Sequence, residues 1–559
     1  MAFLPIVERE LRVAARKGST IWFRVLAALI ALVIAAGFLT LSLAFGVGNA
    51  RFGPGLFGTL TWLALAATLA AGLFFTADSL SEEKREGTLG FLFLTDLRGY
   101  DVVGGKLLAT SLRGSYALLA LFPVLAITLL MGGVTGLQFW KSALALVNAL
   151  FCSLTAGLFI SSFCRDSQRA MGGTLFLLLL VCAGGPLFDS LVAVSRRTGF
   201  SPIGSLTSPV YVFWASSAWG KTSFWAGLLG SHLLGWGWFT LACFLAPRSW
   251  QQRGRRVPDG SAFWAYSWKY GRAGAREARR SKLMDPNPVM WLAARERWQT
   301  FTVWVMVLLV LGLFAVLVLT LPSMVWIIWA QTSWMVLTVL YLWAASQACR
   351  FNVEARRSGL LELLLVTPLE GRAIITGQWR ALLRMFGLPV VLLVLVQLAS
   401  SVFAQRATLG VMAATAGGLA PSLILNLAGA AAGALSMLAN MVALMWFGMW
   451  MGLTSKNASL ATLKTVVFVQ VLPWLGISFA STAIAGILLF TGALRGGAPS
   501  NTMMLSFPLL IAGLSAALSL AKDAAFFIWA RDRLFLRFRG EAARTLGAPR
   551  QSGNRSVSR

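Results

Sequence analysis

Long apolar blocks are the feature that most restricts how this chain folds. Hydrophobic residues make up 57% of its 559 residues and charged residues only 12%, whereas soluble proteins carry roughly 25% charged residues. The blocks run to about twenty residues or more, which is enough to cross ~30 Å of hydrocarbon as helices. In lipid each backbone polar group must pair within its own segment, and continuous runs lack the alternation of barrel strands. We therefore predict an all-α, polytopic membrane protein.

The apolar blocks predict about twelve transmembrane helices in two sets of six. The first six lie near 21–46, 56–77, 107–132, 142–164, 169–194 and 222–246. The second six lie near 300–320, 323–347, 380–402, 430–453, 463–490 and 503–530. Two small-residue pairs, Gly429 with Gly433 and Gly448 with Gly452, predict close approaches between helices.

Each set of six is preceded by an amphipathic stretch, which we expect to lie flat at the inner membrane surface as an interfacial helix. The second of these helices has Asp285 or Asn287 placed to cap it and Pro288 in its first turn. The charged residues that mark the two interfacial helices are Arg9, Glu10, Arg295 and Glu296.

These patterns divide the chain into four predicted regions. Residues 1–246 form the first six-span repeat, and 247–287 form a polar, basic cytosolic linker. Residues 288–539 form the second six-span repeat. The tail 540–559 lacks apolar periodicity and is predicted to be a disordered, cytosolic segment.

The net charge of +28 is explained by topology. If the N-terminus is inside, only seven of the 48 Lys and Arg residues fall in outer loops. This is the positive-inside bias of a membrane protein, with both termini cytosolic and the basic face against anionic lipid headgroups. We therefore expect the bilayer as a partner and no nucleic acid, and we place the chain in the cytoplasmic (inner) membrane.

Two short stretches at a constant offset of 272 residues are near-copies of each other: Glu82 to Lys106 and Glu354 to Gln378. Each follows a predicted pair of spans, and a repeat at half the chain length indicates a duplicated membrane unit. Nine positions are identical: Glu82/Glu354, Arg85/Arg357, Gly87/Gly359, Leu89/Leu361, Leu92/Leu364, Thr95/Thr367, Leu97/Leu369, Gly99/Gly371 and Gly105/Gly377.

Catalytic and metal-binding patterns are weak. Of the 20 Asp and Glu, we place only Asp189 on the outer side and none at mid-membrane, which argues against an ion-coupled transporter. His232 is the only histidine, too few for a histidine-based zinc site, and we interpret it as structural. The five cysteines are read as packing residues without a disulfide framework. No phosphate-binding loop is present, so this chain is not expected to be an enzyme or to bind a metal or cofactor itself.

The repeated stretches resemble the membrane subunits of ABC transporters of the type-2 permease family. That family shows a P-x-x-x-R-E-like start, two spans, a G-T-L-x-x-L-L-x-T-P-L-like loop, and a G-K-like entry to the third span. The matching segments are Pro5–Arg9–Glu10, Glu82–Leu97, Gly105–Lys106, Pro288–Arg295–Glu296, Glu354–Leu369 and Gly377–Gln378. This chain departs from the pattern at Asp96, which stands in place of Pro, and at Gln378, which stands in place of Lys. Three extra residues also separate Pro288 from Arg295.

The resemblance implies an exporter in which two six-span bundles are driven by two separate ATPase subunits, which bind ATP and magnesium. The loops between the second and third spans of each half would then be coupling loops that dock on those subunits. Carried over by position, the docking residues are Glu82, Glu83, Arg85, Glu86 and Thr95 in the first loop and Glu354, Arg356, Arg357 and Thr367 in the second.

Other interpretations remain open from the sequence. The two loops are also compatible with connectors that tuck against the bundle. An ion-coupled carrier or a lipid flippase without an ATPase is the alternative function. A membrane-embedded enzyme would need His232 as its base.

Overall fold

The computed structural model of this chain describes residues 27–37, 49–94, 97–196, 201–217, 223–249, 287–294, 297–320, 325–412, 419–455, 457–478 and 501–547, with a few single positions between these ranges. Within these ranges the chain is helical and has no strand. Eight described helices are long and apolar enough to cross a membrane, and three shorter helices are also apolar. The chain is therefore a multi-pass, helical membrane protein.

The described helices fall into two compact units, and the first unit holds those before residue 250. Its helices are α1 (Ala27–Gly37), α2 (Asn49–Ala71), α3 (Ser79–Glu86), α4 (Thr88–Phe93), α5 (Gly99–Met131), α6 (Gly136–Phe163), α7 (Ser167–Leu179), α8 (Gly185–Arg196), α9 (Pro209–Ser217) and α10 (Phe224–Ser249). A π-helical turn, Gly72–Thr76, lies between α2 and α3, and a second, Leu180–Gly184, joins α7 to α8. A 3-10 turn, Gly204–Thr207, precedes α9.

The second unit holds the helices from Pro288 onward. They are α11 (Pro288–Ala293), α12 (Arg297–Thr320), α13 (Val325–Arg357), α14 (Leu360–Val366), α15 (Gly371–Met412), α16 (Leu419–Thr454), α17 (Ala458–Val466) and α18 (Asn501–Gly547). A π-helical turn, Val467–Val471, follows α17.

The eight long apolar helices coincide with the second, third, fourth, sixth and ninth to twelfth predicted spans. The three shorter apolar helices overlap parts of the first, fifth and seventh predicted spans, and α13 overlaps the eighth. Two helices extend beyond the predicted spans. The helix through α2 and α3 runs on to Glu86, and α13 runs on to Arg357, because a helix does not stop where its apolar side chains give way to charged ones.

The start of α11 follows the predicted capping pattern. Asn287 Oδ1 accepts a hydrogen bond from the backbone N–H of Val289 at 2.8 Å, and Pro288 occupies the first turn. Asn287 Nδ2 also donates to the carbonyl of Ala373 at 2.7 Å, which ties α11 to α15. A Cβ at Gly377 would lie 2.6 Å from Asn287 Oδ1. Gly377 is therefore required, because α11 lies too close to leave room for a side chain there.

The predicted tail boundary at 540 is wrong, because α18 continues to Gly547. Leu534, Phe538 and Ala542 recur every fourth residue and are all buried in the apolar core of the second unit. These three residues form one apolar face of α18. The face was not recognised in the sequence because Ala542 is small and lies among charged residues. Residues 548–559 of the predicted tail lie outside the described residues.

Of the two predicted small-residue pairs, one makes a close helix contact. A Cβ added at Gly452 would lie 2.4 Å from the carbonyl oxygen of Cys349, and one at Gly448 would lie 2.9 Å from Ala348 Cβ. Both contacts join α16 to α13. In the described part of the chain, a Cβ at Gly429 or Gly433 would meet no atom within 4 Å, so no close contact of that pair is seen among the described residues.

We expect Gly452→Ala to lower the free energy of unfolding by about 1–3 kcal/mol, because the new methyl group overpacks the α13–α16 contact. Gly433→Ala, on the same helix, is the matched control. It should leave stability unchanged or raise it by up to about 1 kcal/mol, since alanine favours the helix. Unfolding in detergent measures both variants, and equal losses would contradict the packing assigned to Gly452.

Candidate functional site

The first repeated loop is a tight turn between two helices. Gly87 has φ 75°, in the left-handed region that favours glycine, and it separates α3 from α4. Leu89 on α4 is buried in an apolar cluster with Val102 of α5 and residues of α6 and α10. In contrast, Phe91 is 71% exposed and Leu94 is 73% exposed. Leu89 anchors the loop, Leu92 and Phe93 are partly buried against the same cluster, and Phe91 and Leu94 remain uncovered.

The second loop repeats this arrangement at the same offset. Gly359 has φ 74° and separates α13 from α14. Leu361 and Leu364 are buried. Leu363 is 67% exposed and Val366 is 87% exposed. Each of these exposed residues stands 272 positions after its counterpart in the first loop, Phe91 or Leu94.

The Leu- and Phe-rich short helix of each loop predicts an apolar side that is covered at the membrane boundary or in a groove of a partner. The docking residues carried over by position are charged residues and threonines, so these four apolar residues were not named. Within each short helix, apolar residues occupy more positions than one buried face uses, and the excess recurs at matched positions. Both helices are short, with six residues in α4 and seven in α14.

Glu83 is one of the predicted docking residues, and the structure gives it an internal role. Its Oε1 lies 3.0 Å from Lys106 Nζ of α5, in an ion pair whose side chains are both largely shielded from solvent. Its Oε2 accepts a hydrogen bond from the Thr88 hydroxyl at the start of α4. Glu83 therefore fixes the loop against the bundle.

Arg85 is likewise turned inward. Its two terminal nitrogens donate to the two carboxylate oxygens of Asp78, at 2.9 and 3.0 Å, in a bidentate pair. One of them also donates to the carbonyl of Arg165, beyond the end of α6, at 3.1 Å. The charge of Arg85 is thus neutralised by Asp78 of the same unit. Its hydrogen bond to Arg165 connects α3 to the segment between α6 and α7.

Basic residues also cap the fourth predicted span of each half. Lys84 Nζ donates to the carbonyl of Ser162 at the end of α6. In the second loop Arg356 donates to the carbonyls of Gly452, Leu453 and Ser455 at the end of α16, at 3.1 Å for Gly452 and 3.0 Å for Ser455. Lys84 and Arg356 stand 272 residues apart. Cations at these carbonyls satisfy groups that a helix leaves unpaired at its C-terminus.

The departure at Gln378 is explained by its surroundings. Lys106, its counterpart, pairs with Glu83, but the position matching Glu83 in the second half is Ala355. Gln378 is buried and donates through Nε2 to the carbonyl of Ala348 at 3.0 Å. The second half therefore lacks both members of the ion pair, Ala355 replacing the glutamate and Gln378 the lysine. No buried lysine is left without a carboxylate partner.

The remaining predicted docking residues are distributed as follows. Glu82 is half-buried, and Glu86 and Arg357 are exposed. Glu354 accepts from Arg350 Nε at 2.7 Å, and Arg357 donates to Asn457 Oδ1 at 2.9 Å. The Thr367 hydroxyl donates to the carbonyl of Leu364 at 2.6 Å. Thr95 lies outside the described residues, as do Arg9, Glu10, Arg295 and Glu296 of the interfacial helices.

Glu83 and Glu86 should respond differently to charge reversal. Glu83→Lys places a second cation beside Lys106, so we expect a loss of about 1–3 kcal/mol in the free energy of unfolding. Glu86→Lys changes an exposed side chain, and its effect on stability should stay within about 0.5 kcal/mol. Thermal unfolding of the purified chain compares the two, and equal stability would show that the Glu83 pair does not anchor the loop.

His232 and the cysteines show no catalytic arrangement among the described residues. His232 Nδ1 lies 3.1 Å from Asn148 Oδ1, and Nε2 accepts a hydrogen bond from Trp236 Nε1 at 3.0 Å. Because an indole N–H is only a donor, these bonds fit a neutral ring with its proton on Nδ1. Both ring nitrogens of His232 are thus hydrogen-bonded, and the ring lies at the surface of the unit. All five cysteines are free thiols, as expected.

One acidic residue is enclosed by the second unit. Asp523 is 1% exposed and lies beside Lys522. The charged pair sits within a helix that is long and apolar enough to span a membrane.

No protein-family model matches this chain, and the comparison with curated proteins likewise gives no match.

Proposed function

We propose that this chain is the membrane-spanning permease subunit of an ABC transporter, and that its two loops dock on separate ATPase subunits. The observation that carries the proposal is the matched exposure of Phe91 and Leu94 in one loop and of Leu363 and Val366 in the other. Exposed apolar side chains on a short helix that is anchored to the bundle are typical of a surface that a partner covers.

The proposed architecture extends this idea to the whole chain. Twelve transmembrane helices form two six-helix repeats, each with an interfacial helix before it, and both termini and both loops face the cytosol. The inner membrane holds the chain, and two ATPases supply ATP, magnesium and the hydrolysis step. The same order of helix, left-handed glycine, short helix and long helix in each half supports a repeat. Movement of the docked loops would reorient the bundles and export the cargo.

Purification of the tagged chain from its own membranes in mild detergent tests the proposal. We expect an ATPase with a phosphate-binding loop to co-purify, and we expect its rate of ATP hydrolysis to change when the chain is added back in proteoliposomes. Substitution of the lysine in that loop should abolish hydrolysis without releasing the ATPase from the chain. Intact chain that neither retains nor alters any ATPase would contradict the proposal.

The alternative is an ion-coupled carrier or lipid flippase without an ATPase, and one observation favours it. Lys522 and Asp523 form a charged pair inside the second unit, and ionisable residues within membrane helices often mark ion pathways. Proteoliposomes that contain the chain alone separate the two functions. Solute or lipid movement driven by an ion gradient in the absence of ATP would support the alternative.

A further inference from the structure

Lys522 and Asp523 lie far from the second loop along α18, in a part of the helix that is long and apolar enough to span a membrane. Arg539, sixteen residues later on α18, donates to the carbonyl of Leu369 in the second loop at 2.8 Å. A helix rises about 1.5 Å per residue, so Asp523 lies about 24 Å from that level. Within a hydrocarbon layer of ~30 Å, such a position is costly for charged groups, and charged residues that persist there have a role in most membrane proteins.

The Lys522 ammonium is surrounded by oxygen atoms from three helical segments. Its Nζ lies 2.7 Å from Asp523 Oδ1, 3.1 Å from Asn440 Oδ1 on α16 and 3.1 Å from the carbonyl oxygen of Val469. Val469 belongs to the π-helical turn after α17, and such turns occur frequently at functional sites. Tyr341 of α13 also hydrogen-bonds to Asn440.

This oxygen set is of the kind that holds monovalent cations inside membranes. A carboxylate, an amide oxygen and a backbone carbonyl from irregular helix converge on one point, and the point is already occupied by a cationic group. Transporters coordinate Na⁺ with backbone carbonyls of interrupted helices in the same way. The ammonium of Lys522 thus stands where a free cation would be coordinated.

The fit of Lys522 to Asp523 is incomplete. Adjacent residues on a helix point about 100° apart, so they do not face each other. Both carboxylate oxygens of Asp523 are buried, and neither has a hydrogen-bond partner of acceptable geometry in the described structure. A buried carboxylate with unused acceptor sites is costly. The site therefore offers more oxygen acceptors to a cation than the Lys522 ammonium satisfies.

The first unit has a polar contact at the corresponding place but lacks the carboxylate. His232 on α10 lies 290 positions before Lys522 and contacts Asn148 of α6, as Lys522 contacts Asn440. The residue after His232 is Leu233, where the second unit has Asp523. Both nitrogens of His232 are hydrogen-bonded. At this described contact of the first unit, no carboxylate with unused acceptor sites is present.

We propose that Asp523, Asn440 and the carbonyl of Val469 form a binding site for a monovalent cation, Na⁺ or K⁺, which the ammonium of Lys522 fills when no cation is bound. Binding displaces the flexible lysine side chain and replaces its poorly aligned contact to Asp523 with direct coordination. The cation site does not involve the docking loops or an ATPase. A failure of this proposal and a failure of the proposed function are therefore distinguishable.

Cation-dependent thermal unfolding of the full-length chain in detergent tests the site. At constant ionic strength, N-methyl-D-glucamine is replaced stepwise by Na⁺ or K⁺, and tryptophan fluorescence reports unfolding. Lys522→Met removes the internal competitor. We expect its melting temperature to rise saturably by roughly 3 °C or more, as ligand binding to the folded state requires. The wild type should need more cation for the same rise, and Lys522→Met combined with Asp523→Asn should show no saturable rise.

A matched control and a second readout make the test decisive. Arg531 and Asp532 form an adjacent basic–acidic pair on the same helix, but both are exposed, so Arg531→Met should respond to the cations as the wild type does.

Equilibrium binding of radioactive Na⁺ or Rb⁺ to the wild type needs no lysine variant, and it should be lost in Asp523→Asn. Lys522→Gln replaces Lys522→Met if the latter does not fold. Absence of Asp523-dependent binding in the wild type and in the lysine variants overturns the proposal.

Discussion

Replacement of Phe91 and Leu363 together by glutamate should detach the ATPase subunits and leave the chain folded. Both side chains are exposed at matched positions of α4 and α14, so the substitutions do not disturb the core. In an apolar groove of a partner, each new carboxylate must lose its water without gaining a counter-charge. We expect a loss of about 2–4 kcal/mol per loop, or roughly 30- to 1000-fold weaker binding, measured on the reconstituted chain with purified ATPase.

The control for this double variant is Leu536→Glu. Leu536 is 80% exposed on α18, near the level of the second loop but outside it. The same change of an apolar residue to glutamate should leave ATPase binding within about twofold of the wild type, because effects of non-interface substitutions are small. If Leu536→Glu weakened binding as much as the double variant, the loss would reflect added charge at the membrane surface and not the docking helices.

Arg356→Ala should destabilise the second unit more than any other loop substitution. Arg356 donates to three carbonyls at the end of α16. Its removal leaves those acceptors unpaired at a helix terminus that is only partly open to water. We expect the free energy of unfolding to fall by about 3 kcal/mol, because hydrogen bonds from charged donors are the stronger ones. Denaturant-induced unfolding in detergent micelles measures this loss.

Arg357→Ala provides the comparison on the neighbouring residue. Arg357 is exposed and donates to the side chain of Asn457, so we expect a loss below about 1 kcal/mol. ATPase binding adds a second distinction. A variant of Arg356 that weakened docking at unchanged stability would show that this residue contacts the partner directly, contrary to its capping role.

The helical, membrane-spanning character of the chain follows from its sequence, because the apolar blocks leave no other way to pair the backbone in lipid. Helix ends were less predictable. Arg356 is one of the predicted docking residues and Lys84 lies in the matching charged stretch, but both cap neighbouring helices through contacts some 80 to 100 residues away in sequence. Such long-range partners are not visible in a local window.

The 272-residue repeat predicts two similar loops, and each loop has a left-handed glycine between two helices. The contacts of the docking residues were not predictable in the same way. Glu83 and Arg85, carried over by position, have their partners Lys106 and Asp78 in the same unit. Whether a charged residue faces a partner or its own fold depends on tertiary packing. Leu89 and Phe91 are equally apolar and only two positions apart, and only the packed helix shows which one stays exposed.

Site-specific photocrosslinking tests the central claim most directly. A photoreactive amino acid is placed at position 91 or 363 of the full-length chain in its native membrane, with position 130, an exposed leucine at the far end of α5, as the control. The account predicts that positions 91 and 363 capture an ATPase carrying a phosphate-binding loop and that position 130 captures none. Adducts to lipid alone at positions 91 and 363, in membranes where position 130 behaves identically, would contradict it.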